Sequence, residues 1–338
     1  MSAINQAALS PQEKIFNLLS GFWLARSIYL AAKLGIADLL NDRPKAISDL
    51  AAETHCDARS LYRLMRVLAS QGIFDEVSDR CFALTPLGAT LQSDTPNSLR
   101  YTLMTEMGPA HSIGWGNGLH SLKTGEIAFD AATGMSIWEY FAQHTQDEAA
   151  FSQSVSNLGL IVNQAIVASY DFSGFDTLVD VGGAQGSLLT AILQANPHLK
   201  GILYDLPTVL ENTTLSAVGD HVEIQTGDFF ESVTSGGDGY MMRWIMHDWN
   251  DEKASLILKN CYEAMPSHGK LLLFESLILP GDEPSFVKFA DVVMMIMTGG
   301  QERTEVEFRS LLRANGFELT RVIPTPSLLS IIEAVKLP

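Results

Sequence analysis

The sequence predicts an α/β protein, a doubly wound and mostly parallel seven-stranded sheet preceded by a mostly helical N-terminal domain of winged-helix character. Three observations predict it. From Asp176 onward, short apolar runs alternate with helical stretches, the pattern of a parallel sheet covered on both faces. The first of these strands runs straight into a glycine-rich turn, Gly182 to Gly186, ahead of a helix. Residues 47 to 85 read as two short helices followed by a hairpin. The 338 residues divide accordingly into 1–100 (winged helix), 101–169 (a helical connector) and 170–338 (the doubly wound sheet).

Taken in order, Ile15 to Leu40 carries apolar side chains at helical spacing, with Phe16, Leu19, Trp23, Leu30 and Leu34 among them. Ser48 or Asp49 is expected to cap a short helix, and Asp57 a longer one with Leu61, Leu64, Met65 and Leu68 on one face. Gly72 ends it, and Ile73 to Val77, the turn Ser78-Asp79-Arg80 and Cys81 to Thr85 form the hairpin. The second helix offers Arg59, Arg63 and Arg66, spaced for one solvated face rather than for reading base edges. With 22 Lys+Arg against 39 Asp+Glu and a net charge of −17, nucleic acid and anionic lipid are repelled as partners. The winged helix is therefore expected to pack or to dimerise.

Hydrophobic residues at 46% and charged residues at 18% exclude a disordered or fibrous chain. Three distant cysteines, Cys56, Cys81 and Cys261, fit neither a disulfide framework nor a metal clamp. Met1 to Gln12 lacks a basic region followed by an apolar run, and the longest unbroken aliphatic stretch, Val292 to Met297, is too short for a bilayer. A cytoplasmic protein without a membrane partner is the expectation.

Strands are expected at Thr177–Val181, Gly201–Asp205, Val222–Thr226, Gly239–Ile245 and Lys270–Ser276. Phe317–Ile323 and Leu328–Ala334 follow with no helix between them, which sets the last strand antiparallel at or near an edge. A pyrophosphate loop would need glycines two and five residues after Gly182, where Ala184 and Ser187 stand, so a dinucleotide is disfavoured. Asp205, one strand further on, can accept hydrogen bonds from both hydroxyls of a ribose. Asp228 and Phe229, after the third strand, offer a carboxylate and an apolar face to an adenine. An adenosine site without a pyrophosphate loop points to S-adenosyl-L-methionine, leaving S-adenosyl-L-homocysteine as product.

At the same sheet edge, His247 lies just beyond the fourth strand, where a general base would stand. A phenol of pKa about 10 facing an imidazole of about 6.5 leaves roughly 3.5 units, or about 5 kcal/mol, so proton removal must be coupled to transfer. Glu275 and Glu302 are candidates to accept a hydrogen bond from the other ring nitrogen. Asp248 is placed to contact cofactor or substrate, and Asp251 is read as a helix cap. The eight histidines show no metal-ligand spacing, so no metal is expected. Met294 and Met295, with Met297 and Phe289, would line an acceptor pocket if their helix faces the site, joined by Met107, Trp115 and Met135. Ordinary core packing is the alternative for all of them.

Asp180-Val181-Gly182-Gly183, Tyr204-Asp205-Leu206-Pro207, Gly227-Asp228-Phe229-Phe230, Arg243-Trp244-Ile245-Met246-His247-Asp248-Trp249 and Gly299-Gly300-Gln301-Glu302-Arg303-Thr304 together resemble one family. It is the S-adenosylmethionine-dependent O-methyltransferases typified by plant caffeate and isoflavone enzymes and bacterial polyketide-tailoring enzymes, and the likeness spans nearly the whole chain. The resemblance implies a homodimer whose winged-helix module closes over the partner's substrate, and a base and orienters at His247, Glu275 and Glu302. It also implies methyl transfer to a hydroxyl of a small aromatic or polyketide-like secondary metabolite. Asp180, Gly182, Gly183, Gly186, Asp205, Leu206, Asp228, Phe229, Arg243 and Asp248 become the cofactor-binding set, with Arg243 reaching the adenine or a neighbouring acceptor where the family usually has Lys. The sequence departs from the pattern at Ala184-Gln185, where Gly-Thr is more frequent, adding a methyl and an amide near the methionine end. Two alternatives stay open: a diverged relative that hydroxylates or decarboxylates, and a winged-helix regulator that senses the cofactor.

Overall fold

A computed structural model describes residues 9–211, 213, 215 and 218–337. The stretch before Leu9, read above for a leader pattern, lies outside the described residues. The chain forms two compact units. One takes the residues up to Ile113 with Trp138–Leu158; the other takes Gly114–Ile137 and everything from Gly159 on. The helical stretch 101–169 is thus shared between the units rather than standing as a connector of its own.

The first unit opens with the helix Pro11–Lys33, started by a capping box in which Ser10 and Glu13 satisfy each other's amides and Pro11 needs no donor. Its strands β1 (Lys45–Ala46), β2 (Phe74–Ser78) and β3 (Cys81–Leu84) form a small antiparallel sheet in the order β1-β3-β2. The helices Ile47–Glu53 and Ala58–Ser70 pack Leu50, Leu61, Met65 and Leu68 on Phe74 and Phe82, which completes the expected winged helix. Asp57 caps the longer helix through the Ser60 amide, as expected. The shorter one is not capped by Ser48 or Asp49. Ala46 stands at its start, and the first amide, Ile47, donates to Arg80 of the hairpin at 2.8 Å because the strand enters the helix without a turn. Arg59, Arg63 and Arg66 are exposed, with Arg66 lying over the Tyr62 ring.

Pro11–Lys33 also amends one expectation. Its 23 residues are long and apolar enough to cross a membrane by length and composition alone, though no unbroken aliphatic run is. Phe16, Leu18, Phe22 and Trp23 are exposed on it.

In the second unit, β4 (Thr177–Val181), β5 (Lys200–Asp205), β6 (Val222–Thr226), β7 (Gly239–Arg243), β8 (Lys270–Glu275), β9 (Phe317–Pro324) and β10 (Ser330–Lys336) form one sheet. The order is β6-β5-β4-β7-β8-β10-β9. The first five strands are parallel, and β10 is antiparallel to both β8 and β9. β9 forms the edge and β10 lies one strand in. The expected start at Leu328 moves to Ser330 because Thr325 holds the Leu329 carbonyl in the preceding loop. β7 stops at Arg243, two residues early, because Trp244 adopts φ +54° and leaves the strand. Val179, Tyr240, Ile257 and Leu273 fill one side of the sheet; Leu178, Leu189, Met241 and Phe274 fill the other. Strand order reverses between β4 and β7, so the crevice at their carboxyl ends is where this topology accepts a ligand.

Candidate active site

The glycine-rich turn begins where β4 ends. Gly182 and Gly186 have φ near +70°, and Ala184 has φ +50°, so the chain turns sharply before the helix Ser187–Ala195. Gly183 is required by close approach: a Cβ there would meet Leu203 at 2.4 Å and the Asp180 carboxyl at 2.6 Å. Gly182 faces Ile245 and Phe229 in the same way. Asp205, at the end of β5, accepts the Ala184 amide on Oδ2 at 2.8 Å and the Leu206 amide on Oδ1 at 2.7 Å. Its carboxylate is fixed from both sides, with lone pairs left for ribose hydroxyls. Asp228 caps its own turn through the Phe230 amide, which leaves Phe229 against Gly182 as an apolar wall.

Asp180 is buried beneath the loop, and its Oδ2 has no partner. Burial pushes its pKa up to about 7, against the opposing charge of Arg243. An unpartnered buried acceptor, a fixed ribose-type carboxylate and an apolar wall fit S-adenosylmethionine. The Gln185 amide is directed to the Val209 carbonyl and the Thr213 hydroxyl, so it is taken up by the following loop. Arg243 donates to Asn163, and Asn163 in turn reaches the Ser187 hydroxyl at 3.3 Å. A Cβ at Gly159 would touch the guanidinium, so Arg243 packs on the helix Thr145–Ser169. Leu206 is largely exposed beside Asp205.

A second cluster gathers around His247. His247 stands in a short 3-10 turn, Met246–Asp248, after β7. Its Nδ1 pairs with Glu302 Oε1 at 2.9 Å, and Asp248 Oδ1 lies 3.8 Å from Nε2. Of the two expected orienters, Glu302 makes the bond. Glu275 does not: its Oε1 accepts the amides of Ile245 and Met246 at 3.1 and 2.8 Å, because β8 delivers it beneath the turn rather than beside the ring. Oε2 of both glutamates is buried without a partner. Ligating atoms of His247, Glu275 and Glu302 nevertheless lie within 4.8 Å of one another, a grouping that sequence spacing did not reveal.

Burial works against a charged His247, but the carboxylates of Asp248, Glu302 and Glu275 outweigh it and raise its pKa to about 10. Burial raises Glu275 to about 7 and Asp248 to about 6. The cluster thus holds its proton tightly.

Four of the expected pocket residues, Trp115, Met135, Met294 and Met295, fall in the second unit, and Met107 falls in the first. Met294 and Met295 are half-buried on the helix Phe286–Met297, whereas Met297 and Ile296 are core, packed against Gly114. Asp251 is not the cap of its helix; Asn250 is, through the Lys253 amide, and Asp251 pairs with Arg303. Three residues escaped the sequence reading. Asp291 accepts the Glu302 amide at 2.9 Å, Asn163 holds Arg243, and Arg303 is wholly buried behind the turn that carries His247. A lone Asp within the apolar run of residues 286–297 was the available signal for the first.

A family model described as the O-methyltransferase domain matches residues 117–318, and one described as the O-methyltransferase dimerisation domain matches residues 16–94. The phenazine O-methyltransferase PhzM of Lysobacter antibioticus is 42% identical over 339 residues, 99% of this chain and 99% of its own. The crystal structure of LaPhzM is 41% identical with a TM-score of 0.93, covering 97% of this chain and 100% of that one. NcsB1, an O-methyltransferase from neocarzinostatin biosynthesis solved with S-adenosyl-L-homocysteine and 1,4-dihydroxy-2-naphthoic acid, is 30% identical. Its TM-score is 0.80, over 93% of this chain and 96% of that one. Fold and site together define an S-adenosylmethionine-dependent O-methyltransferase. The chain belongs to the O-methyltransferase family in which a dimerisation domain precedes the catalytic domain, and that domain supports a homodimer.

Proposed function

We propose that the acceptor is a hydroxyl on a small, flat aromatic metabolite of the phenazine or naphthoate kind, and that His247 removes its proton. The observation that carries this is the 2.9 Å bond between His247 Nδ1 and Glu302 at the carboxyl end of the sheet. A relative named for phenazine O-methylation and a neighbour solved with 1,4-dihydroxy-2-naphthoic acid bound support the substrate class. Asp180, Gly182, Gly183, Gly186, Asp205, Leu206, Asp228, Phe229, Arg243 and Asp248 are the proposed cofactor set, with Asp205 for the ribose and Phe229 for the adenine. Bound there, S-adenosylmethionine supplies an electrophilic methyl on a cationic sulfonium.

His247 must be neutral to accept the phenolic proton through Nε2, while Glu302 keeps Nδ1 protonated and stabilises the imidazolium. A base raised to about 10 matches a phenol of pKa about 10, which removes the mismatch of an ordinary imidazole. The cost is a small neutral fraction near pH 7, which a nearby cation enlarges by disfavouring the imidazolium. Glu275 contributes by fixing the turn that carries His247. The exposed apolar side of Pro11–Lys33 is the proposed face for the second copy, which would leave neither a membrane nor a nucleic acid as partner and the enzyme in the cytoplasm.

His247→Ala is expected to lower transfer of a labelled methyl to a hydroxyphenazine by 10²-fold or more, on the order of what a general base contributes. Near-normal transfer by a folded variant sinks the assignment.

A further inference from the structure

We infer that Arg303 is a positioning residue for methyl transfer, fixing the His247–Glu302 pair by clamping the two loops that carry it. The inference rests on the reading of His247 as base. Arg303 is 1% exposed, among the largest fully buried side chains of the protein. Burying a guanidinium is costly unless every donor is used, and here the donors are used on the backbone around the base. Nη1 donates to the Met246 carbonyl at 2.8 Å, and Nη2 to the Trp249 carbonyl at 2.9 Å, bracketing His247 on both sides. Nε and Nη2 reach Asp251 Oδ1 at 3.0 and 2.8 Å, and Nη1 approaches the Gln301 carbonyl beside Glu302 at 3.4 Å.

The same two segments are joined by their main chains. The Gln301 amide donates to the His247 carbonyl at 2.9 Å, and the Gln301 side chain donates to Asp251 at 2.8 Å. Gly300 permits this approach, since a Cβ there would lie 2.0 Å from the His247 carbonyl oxygen. The carbonyls of Met246, His247 and Trp249 are therefore all held by residues 301 and 303. The distance between His247 Nδ1 and Glu302 is imposed by backbone anchors rather than left to two side-chain rotamers. A planar fork reaches carbonyls on both sides of the base in one fixed geometry; an ammonium has its three donors on a single nitrogen at the end of a flexible stem and does not reproduce that span.

The test compares Arg303→Lys, Arg303→Met and Asp251→Asn with the full-length enzyme. It measures kcat, acceptor KM, the pH profile of kcat/KM, S-adenosyl-L-homocysteine affinity and melting temperature. The groups facing His247 are Asp248, Glu275 and Glu302, with Asp291 behind Glu302, and all four remain in every variant. A folded Arg303→Lys is expected to lose 10- to 100-fold in kcat, the order associated with misplacing a reacting group by about 1 Å. Acceptor KM and homocysteine-product affinity should change less than about threefold, and the inflection of kcat/KM should fall by about one pH unit as Glu302 loosens. Native kcat with a native inflection overturns the inference. If both Arg303 variants fail to fold, Asp251→Asn decides: the amide oxygen can still accept from Nε and Nη2, so the buried guanidinium keeps its hydrogen bonds and loses only its counter-charge, at a side chain that is 66% exposed. A severalfold loss of kcat with the same downward inflection supports the clamp, and an unmoved inflection overturns it. His247→Ala separates the two failures. An active His247→Ala removes the base reading itself, whereas an inactive one beside native Arg303 variants removes only the clamp.

Discussion

Replacing Glu302 by Gln tests the electrostatics of the base directly. The amide keeps an oxygen for the Nδ1 proton but loses the charge that stands 2.9 Å from the ring. Two unit charges at that distance interact by about 6 kcal/mol at an effective dielectric constant of 20, an upper bound of roughly four pK units. Asp248, 3.8 Å from Nε2, and Glu275 remain to hold the imidazolium, so the working expectation is a drop of about one to three units. The sign follows from the charge: without the carboxylate the protonated ring is less favoured, and its pKa falls from about 10.

Two opposing effects reach the rate. The variant's base is weaker, which slows proton removal on the alkaline plateau by about 10- to 100-fold. Its neutral share at pH 7 rises by about 10- to 500-fold for that drop in pKa, which offsets the loss there or exceeds it. The assay is kcat/KM for a phenolic acceptor with labelled methyl donor, from pH 6 to 10.5. The defect should be smaller at pH 7 than at pH 10, with the inflection moved down. A defect that is constant across pH, or an inflection that rises, refutes the reasoning, because neither can come from loss of a negative charge beside the base.

Asp205→Ala removes the acceptor that both the Ala184 and Leu206 amides hold in place, and calorimetric titration should show S-adenosylmethionine affinity reduced by at least 10²-fold; unchanged affinity removes Asp205 from the site. Glu333 lies across the sheet from Arg321 and receives bonds from Arg321, Tyr170 and Thr320, which overcome its burial and lower its pKa to about 2. Its contribution to stability is therefore full above the ordinary carboxylate value and is lost as pH falls toward 2; over about 2.5 units it amounts to roughly 3 kcal/mol. Urea unfolding of Glu333→Gln should show most of that deficit at pH 7 and little of it near pH 2, and an equal deficit at both would contradict the linkage.

What the sequence made readable was local. Thr177–Val181 and Val222–Thr226 are strands to the residue, since an apolar run bounded by turn residues specifies both ends. The same locality identified Asp205, the charged residue that ends its strand, and His247, the first titratable group past another. It failed where one residue's backbone contradicts its neighbours. Nothing in Arg243-Trp244-Ile245 announces that Trp244 turns left-handed, so β7 was drawn two residues too long. It failed also where partners are far apart in sequence. Glu275 and Glu302 were equivalent candidates until the fold placed one under the turn and the other beside the ring. Asp251 looked like a cap because Asn250, its neighbour, is an equally good one and the ion pair to Arg303 spans the domain. Arg303 lies in the Gly299–Thr304 motif that carried the resemblance, but its role was not legible there, since a buried and an exposed arginine read alike before the tertiary partners are known.

The two non-glycine residues with left-handed backbone in the catalytic sheet's crevice, Ala184 and Trp244, explain how the site is assembled. Each costs about 1–2 kcal/mol relative to an ordinary conformation, and each follows a strand flanking the reversal of strand order. In both places the turn presents amides to a carboxylate from the neighbouring strand. The Ala184 turn gives its own N–H to Asp205, and the Trp244 turn gives those of Ile245 and Met246 to Glu275. Strain and carboxylate are coupled, because straightening either turn would withdraw donors from a buried or half-buried anion, at a cost of about 1–3 kcal/mol per unsatisfied group. Two acidic side chains that burial alone would drive toward neutrality are in this way held at the carboxyl ends of two strands of one sheet, Asp205 beside the glycine-rich turn and Glu275 beneath the turn that carries His247. Ala184 in place of glycine is compatible with this arrangement because the methyl sits on a turn already fixed by Asp205, and the Gln185 amide is occupied by Val209 and Thr213.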